Sequence, residues 1–514
     1  MTQAAAPTVA WETIPAGLRR PLLGGMRWTL WLALGAVPFS YGTRVLLARI
    51  SPECLAIFGL LLVYINFVAA FLFLGGNAVA IRYLPQIETE RRRDFLGSYV
   101  LVLAGAWLPW VVLAAVDPRP VHWLLGSLGG GEFTLLAILL APLPILFSLL
   151  LAALKGALDI AAAQVLYRTV TLGTFAGVLV AFLWARPLLA VHAVAFLWTW
   201  YFLLMAGAAA AAARRWERCS ATAVRGRPRW FLPAGFWRYT LGLQASSVLG
   251  FFATQLDMLL VLGAGGLRQL GEYVAIMALA ALAMAALKLL LDAFMAAITH
   301  GEARRIRPGA EQDVQLSGEL FRQCSRLLLP MILLLGAGLA CLASPLLAIY
   351  GARYATLLPA LRWLGPCAAI AGLNYLLGSS LSALGHPGAE VKAKCVRIAA
   401  YVALFFLLWP RLGIVGAVLA WGAAELPYQG MNLMYLRRLA PFPLRWRRLY
   451  PAYLAAVALL AAAVQWLRPT GMAAGICLWA CIGGVFLVLA GYSWQELRGH
   501  ARIFLPGSLV EVRP

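Results

Sequence analysis

Charge is what this sequence has least of. Only 12% of its 514 residues are Asp, Glu, Lys or Arg, while 63% are hydrophobic. A soluble domain of this size needs a more polar surface, so a soluble fold is excluded. The shortage is also one-sided, with 20 acids against 42 Lys and Arg and a net charge of +22. Histidine is scarce, at 5 residues, and none stands at ligand spacing from a cysteine or carboxylate, so no metal centre is expected. The 8 cysteines are dispersed, and Cys477 and Cys481 are simply helix neighbours. Burial in a membrane explains them better than disulfides do. There is no phosphate-binding loop, no Gly-x-Ser-x-Gly elbow and no dinucleotide fingerprint. Enzymes built on those motifs are thereby set aside, and no cofactor is expected. Any energy source is an ion gradient, the membrane potential or the substrate's own gradient. The opening "MTQAAAPTVAWETIPAG" has neither the charged start nor the short apolar run of a cleaved signal peptide.

What is present is a series of apolar runs of about 20 residues, enough to cross a hydrocarbon core of roughly 30 Å as helices. They fall at 24–48, 55–78, 95–116, 132–154, 164–185, 188–213 and 236–262, then at 271–298, 325–350, 356–383, 395–411, 412–436, 449–467 and 472–495. The expectation is an all-α polytopic membrane protein with about fourteen transmembrane helices. The turn at Pro410-Arg411, between two of these runs, is very short, and without it the count drops by one.

The positive charges agree with this alternation. Arg19-Arg20, Arg91-Arg92-Arg93, "RRWERCSATAVRGRPR" (214–229), "RRIR" (304–307), Lys392/Lys394 and "RRLAPFPLRWRR" (437–448) all fall on one face. The other face keeps only Arg49, Arg119, Arg186, Arg268, Arg353, Arg411 and Arg468. By the positive-inside rule the rich face, and with it both termini, is cytoplasmic. A nucleic-acid partner would need one contiguous basic surface, which this scatter does not make.

Loop length separates the membrane classes. The longest outer connection, 117–131, is too short to hold a catalytic domain. The chemistry therefore lies within the helix bundle, which favours transport over a membrane-bound enzyme. The chain also repeats a plan. "RVLLARISPECLAIFGLLLVY" (44–64) and "DMLLVLGAGGLRQLGEYVAIMAL" (257–279) each run from a charge through an apolar stretch and a small turn to an aromatic helix start. Two parallel six-helix lobes follow, 24–213 and 236–436, joined by the basic linker 214–235, with two further helices at 449–495.

The stretch "TRVLLARISPECLAIFGLLLVYINFVAAFLFLGGNAVAIRYLPQ" (43–86) resembles the opening of the polysaccharide exporters and flippases of the multidrug/oligosaccharidyl-lipid/polysaccharide (MOP) superfamily. Its arginine-bearing first helix, short turn, second helix and Arg-Tyr-Leu-Pro ending carry the likeness. "QLDMLLVLGAGGLRQLGEY" (255–273) resembles the start of that family's second half, with Asp257, Gly271 and Tyr273 in matching places. The likeness covers about residues 20–445, and its motifs are degenerate. The turn Ser51-Pro52-Glu53-Cys54 departs from the family's Gly-Pro-acidic-aromatic pattern. The resemblance implies a two-lobed bundle with two extra C-terminal helices. It also implies a flippase moving an undecaprenyl-diphosphate-linked saccharide, or a related exopolysaccharide intermediate, across the bacterial inner membrane by alternating access. Its partners would be that lipid-linked saccharide, membrane lipids and the polysaccharide polymerase or synthase machinery.

Charges inside spans are costly and so mark function. Arg44 lies on the first helix, with Arg49 at its end, and Asp257 lies on the seventh; under the repeat Arg44 and Asp257 face one cleft from opposite lobes. Arginine binds phosphate bidentately and keeps its charge when partly buried. Arg44, Arg49 and Asp257 are therefore the candidate substrate-binding or gating residues, although a static Arg44–Asp257 pair remains open. Lys288, Asp292 and Glu425 are candidates for ion coupling. Lys288 and Asp292, four residues apart, also suit simple mutual neutralisation. Three alternative functions remain: a multidrug/cation antiporter of the same superfamily, a lipid II flippase, and a non-transporting membrane subunit of a polysaccharide synthase.

Overall fold

A computed structural model describes residues 16–84, 87–116, 137–157, 159–219, 229–305, 311–383, 387–439, 449–469 and 471–492. Among these residues there is no β-strand, and sixteen α-helices account for nearly all of them. In chain order they are α1 (Ala16–Ile50), α2 (Pro52–Phe71), α3 (Gly76–Tyr83), α4 (Arg92–Val116), α5 (Pro142–Gly156), α6 (Ile160–Trp184), α7 (Arg186–Val191) and α8 (Ala193–Cys219). The second half adds α9 (Phe236–Arg305), α10 (Glu311–Cys341), α11 (Ala343–Tyr350), α12 (Leu358–Ala383), α13 (Pro387–Leu412), α14 (Ile414–Leu439), α15 (Leu449–Leu467) and α16 (Met472–Leu489).

Nine described segments are long and apolar enough to cross a membrane, and α10 with α11, bent by 66°, makes a tenth. Counting the more polar α1, α13 and α14, and dividing α9 at its break, gives fourteen. That break is Gly266, whose φ of 72° and ψ of −175° no helix contains. It lies in the small-residue stretch that the apolar runs leave between 262 and 271. The short turn near residue 410 also exists, with a different pivot from the one expected. Pro410 lies inside α13, and the reversal turns on Gly413, whose φ of 53° suits glycine. Other boundaries shift for local reasons. The run 55–78 is interrupted at 72–75, where Gly75 and Gly76 both take positive φ. The turn at Ser51 is a helix cap: Ser51 Oγ accepts from Cys54 N–H at 3.1 Å, and Pro52 opens α2.

The chain packs as two compact units, one through Phe251 and the other from Phe252, so the division falls inside α9. In the first unit α1 packs along α6, and α8 packs against α5 and α6. Near its end the break after α2 is closed by one side chain. Gln244 Nε2 donates to the carbonyls of Ala70 (2.6 Å) and Phe71 (3.1 Å), and its Oε1 accepts from Gly75 N–H (3.2 Å). A broken helix in an apolar setting is tolerated only when its freed backbone groups are satisfied in this way.

In the second unit α13 packs on α14, α14 on α12, and α12 on α10. Leu328, Ile332, Leu373, Leu377, Tyr453 and Phe486 form its buried core, so α15 and α16 are integral to this unit. Close approach rests on small residues. A Cβ on Gly365 would sit 2.4 Å from the carbonyl of Gly336, so α10 and α12 cross backbone to backbone.

Candidate functional site

The polar groups buried deepest in the second unit gather around one arginine. Arg397 is the eleventh residue of α13, about 15 Å along the helix at 1.5 Å per residue. Its Nε donates to Glu425 Oε1 of α14 at 2.6 Å, and its Nη1 donates to the carbonyl of Ala253 on α9. The other Glu425 oxygen, Oε2, accepts from Asn374 Nδ2 of α12 at 2.7 Å, and the same amide reaches the Glu425 carbonyl at 2.8 Å. Glycine lets the elements meet. A Cβ on Gly422 would lie 2.2 Å from Cys367 Sγ, so α14 and α12 touch one turn before Glu425.

Asp257 lies beside this pair. It is 93% buried, being 7% exposed, and its Oδ2 accepts from Tyr273 Oη at 2.9 Å, across the break at Gly266. Its Oδ1 is buried without a hydrogen-bond partner. A small cleft opens there, walled by Leu256, Asp257, Arg397, Tyr401 and Trp421. Two carboxylates and one guanidinium thus share a deeply buried site. With both acids ionised the group carries one excess negative charge, which is expensive to bury. One proton makes it neutral.

The other candidates are distributed as follows. Arg44 is half-buried on α1 in the first unit. Arg49 is exposed at the end of α1, where its carbonyl accepts from Arg186 Nη2 at 2.8 Å. Lys288 and Asp292 fall on the far part of α9, and their side chains lie outside the described residues. The partners that the structure gives Asp257 and Glu425 come from the second unit itself. Of these, Asn374 and Arg397 were absent from the sequence-based set, which took only Lys392/Lys394 from this basic stretch. The missed signal is the helix start at Pro387, which carries Arg397 well inside the bundle.

No family profile matches the chain, and no curated protein matches it in sequence. Solved structures do match in fold. A lipid II flippase, MurJ, in an inward closed conformation is 14% identical, with a TM-score of 0.61 over 91% of this chain and 99% of that one. An inward-facing multidrug resistance MATE family transporter of the MOP superfamily is 13% identical, with a TM-score of 0.60 over 86% and 99%. An outward-facing MATE family transporter of the same superfamily is also 13% identical, with a TM-score of 0.56 over 90% and 100%. The chain is a multi-pass helical membrane protein that shares the fold of these flippase and MATE structures.

Proposed function

We propose that the protein is a transporter that flips a lipid-linked saccharide, carried on undecaprenyl diphosphate, across the bacterial inner membrane, with both termini cytoplasmic. The observation that carries this reading is the pair α15 and α16. They pack into the core of the second unit, beyond the twelve helices of the basic plan, and the resemblance in sequence associates such an addition with saccharide-lipid export. The lipid II flippase fold, matched over 91% of the chain, supports the same class of cargo. In this reading Arg44 and Arg49 offer guanidinium groups to the diphosphate. Asp257 lines or gates the path. Glu425, held by Arg397 and Asn374, couples transport to a cation.

A second reading, a multidrug/cation antiporter, is favoured by the carboxylates Asp257 and Glu425 beside aromatic Tyr401 and Trp421. One experiment separates the two. Proteoliposomes holding a fluorescent undecaprenyl-diphosphate saccharide are exposed to an impermeant quencher, and the rate at which label changes leaflet is measured. Protein-dependent flipping that is lost in Arg44→Ala and only partly restored by Arg44→Lys is the expected result. No flipping, together with extrusion of an organic cation, would replace this reading with the second one.

A further inference from the structure

The polar character of the second unit continues past the Arg397–Glu425 pair toward the basic end of the bundle. On α13, Glu390, Lys394, Arg397 and Tyr401 follow at steps of four, three and four residues, which puts them on one helix face. On α14, Glu425, Tyr428, Gln429 and Asn432 make a second stripe, and α12 adds Asn374 and, one turn on, Gly378. Two joints show that the stripes converge. Glu425 is bonded to both Arg397 and Asn374. A Cβ on Gly378 would lie 2.9 Å from Tyr428 Oη and 3.5 Å from Glu390 Oε1. Glu390 in turn pairs with Lys394 at 2.9 Å, near the start of α13.

Between these joints lie polar groups that the fold does not satisfy. Gln429 is 2% exposed and Asn432 is fully buried. Gln429 Nε2 and both side-chain polar atoms of Asn432 have no hydrogen-bond partner in the protein. Unpaired amides in an apolar bundle are costly, and Leu or Ala at either position would remove the cost. Water molecules threaded along the stripes would satisfy these amides, because each needs two to four polar partners and the stripes supply them.

We propose that the three stripes form a water-lined proton path from the Glu390–Lys394 end of α13 to Glu425, and that a proton arriving on Glu425 hands Arg397 over to Asp257. The charge balance holds at each step. In the proposed starting state, Arg397 pairs with ionised Glu425, as its contact indicates, and Asp257 carries the proton on Oδ1, beside the cleft. A proton delivered along the path neutralises Glu425 and weakens its bond to Arg397. The guanidinium then pairs with Asp257, whose own proton leaves to water in the cleft. One proton enters, one leaves, and no net charge is buried in either state.

A proton suits this site better than a metal ion, because the guanidinium already occupies its centre and both Glu425 oxygens are bonded. Among the described residues no three His, Cys, Asp or Glu groups gather to hold a metal. The titratable and charged groups facing the pair are Asp257 and Tyr273 from α9, Cys367 and Tyr375 from α12, Glu390, Lys394, Arg397 and Tyr401 from α13, and Glu425 and Tyr428 from α14. The inference rests on the transporter reading above, with the basic end of α13 cytoplasmic.

The test uses full-length protein in lipid nanodiscs, with no saccharide present. Infrared spectroscopy follows the carbonyl stretch of protonated carboxyl groups, and transfer to deuterated buffer times the exchange of their protons. A band that Asp257→Asn removes is expected. At low pH, where Glu425 also takes a proton along the path, exchange of the band that Glu425→Gln removes should slow by about tenfold or more in Gln429→Leu/Asn432→Leu. Gly378→Ala, which narrows the same path from another helix, should slow it too and serves if the double variant misfolds. A band untouched by both Asp257→Asn and Glu425→Gln would overturn the shared proton. Unchanged exchange in both path variants would overturn the path. Neither failure touches the flipping assay, so the two readings fall separately.

Discussion

Removing Arg397 should damage the protein more than removing it together with its partner. Glu425 is 3% exposed, and its side chain has two strong bonds, from Arg397 Nε at 2.6 Å and from Asn374 Nδ2 at 2.7 Å. Arg397→Met deletes one of them and strands a carboxylate with only an amide for support. Breaking a buried pair in this way costs about 3–5 kcal/mol. Glu425→Gln should cost less, about 1.5–3 kcal/mol, the range for losing a charged hydrogen bond. The glutamine carbonyl still accepts from Asn374, and the freed guanidinium, 15% exposed, has Asp257 nearby.

The double variant Arg397→Met/Glu425→Gln leaves no stranded charge at that point. It should recover part of the loss, with a coupling energy of about 2 kcal/mol between the two positions. The assay is reversible unfolding of the purified protein in mixed micelles of mild detergent and sodium dodecyl sulfate, followed by tryptophan fluorescence. Losses that add to within about 0.5 kcal/mol would mean that the two side chains do not hold one another, and the cluster would lose its centre.

Tyr273→Phe removes the donor to Asp257 Oδ2 and leaves that buried oxygen unsatisfied, for a loss of about 1–3 kcal/mol in the same assay; a change under 0.5 kcal/mol would mean that the hydroxyl does not hold Asp257. Gln244→Leu frees two carbonyls and one N–H at the break after α2, for a loss of about 2–3 kcal/mol; a change under 0.5 kcal/mol would mean that water closes the break instead. Reporter fusions at residues 90, 222 and 310 should report cytoplasm and one at 125 the outer side, since basic clusters flank the first three. An outside signal at 222 would overturn the division into two parallel six-helix lobes.

The helices were legible because hydrocarbon imposes length and apolarity on every crossing, and those are properties of single runs. Their internal breaks were not, because "VAAFLFLGGNAV" is apolar throughout and only Gly75-Gly76 hints at the interruption. The hydrogen bonds that make the break tolerable come from Gln244, far away in sequence. Asp257 and Glu425 stood out as acids in apolar runs. Their partners did not, for two reasons. Tyr273 is an ordinary residue at a helix start, and Asn374 is an uncharged amide among leucines. Arg397 follows Lys392 and Lys394 so closely that it reads as one more charge of a basic surface cluster. Depth within a helix depends on where that helix starts, and α13 starts at Pro387, well before its apolar run.

Under the transporter reading proposed above, the placement of acids assigns energy coupling to the second unit. The chain has only 20 Asp and Glu, so each one inside a crossing is exceptional. Among the described residues of the first unit, Glu53, Glu88, Glu90, Asp94, Asp159 and Glu217 all sit at helix ends or in connections, where water or a helix N-terminus accommodates them. Asp257 and Glu425 are nine-tenths or more buried, and both belong to the second unit. If they served stability alone, apolar residues of similar volume would serve as well or better, because the desolvation of a buried ion pair offsets most of its attraction. What an apolar replacement cannot do is change charge. A pair of acids sharing one arginine has two arrangements of equal net charge, and a single proton chooses between them. A fold that must alternate between states needs an element of that kind, and among the described residues this cluster has the composition for it.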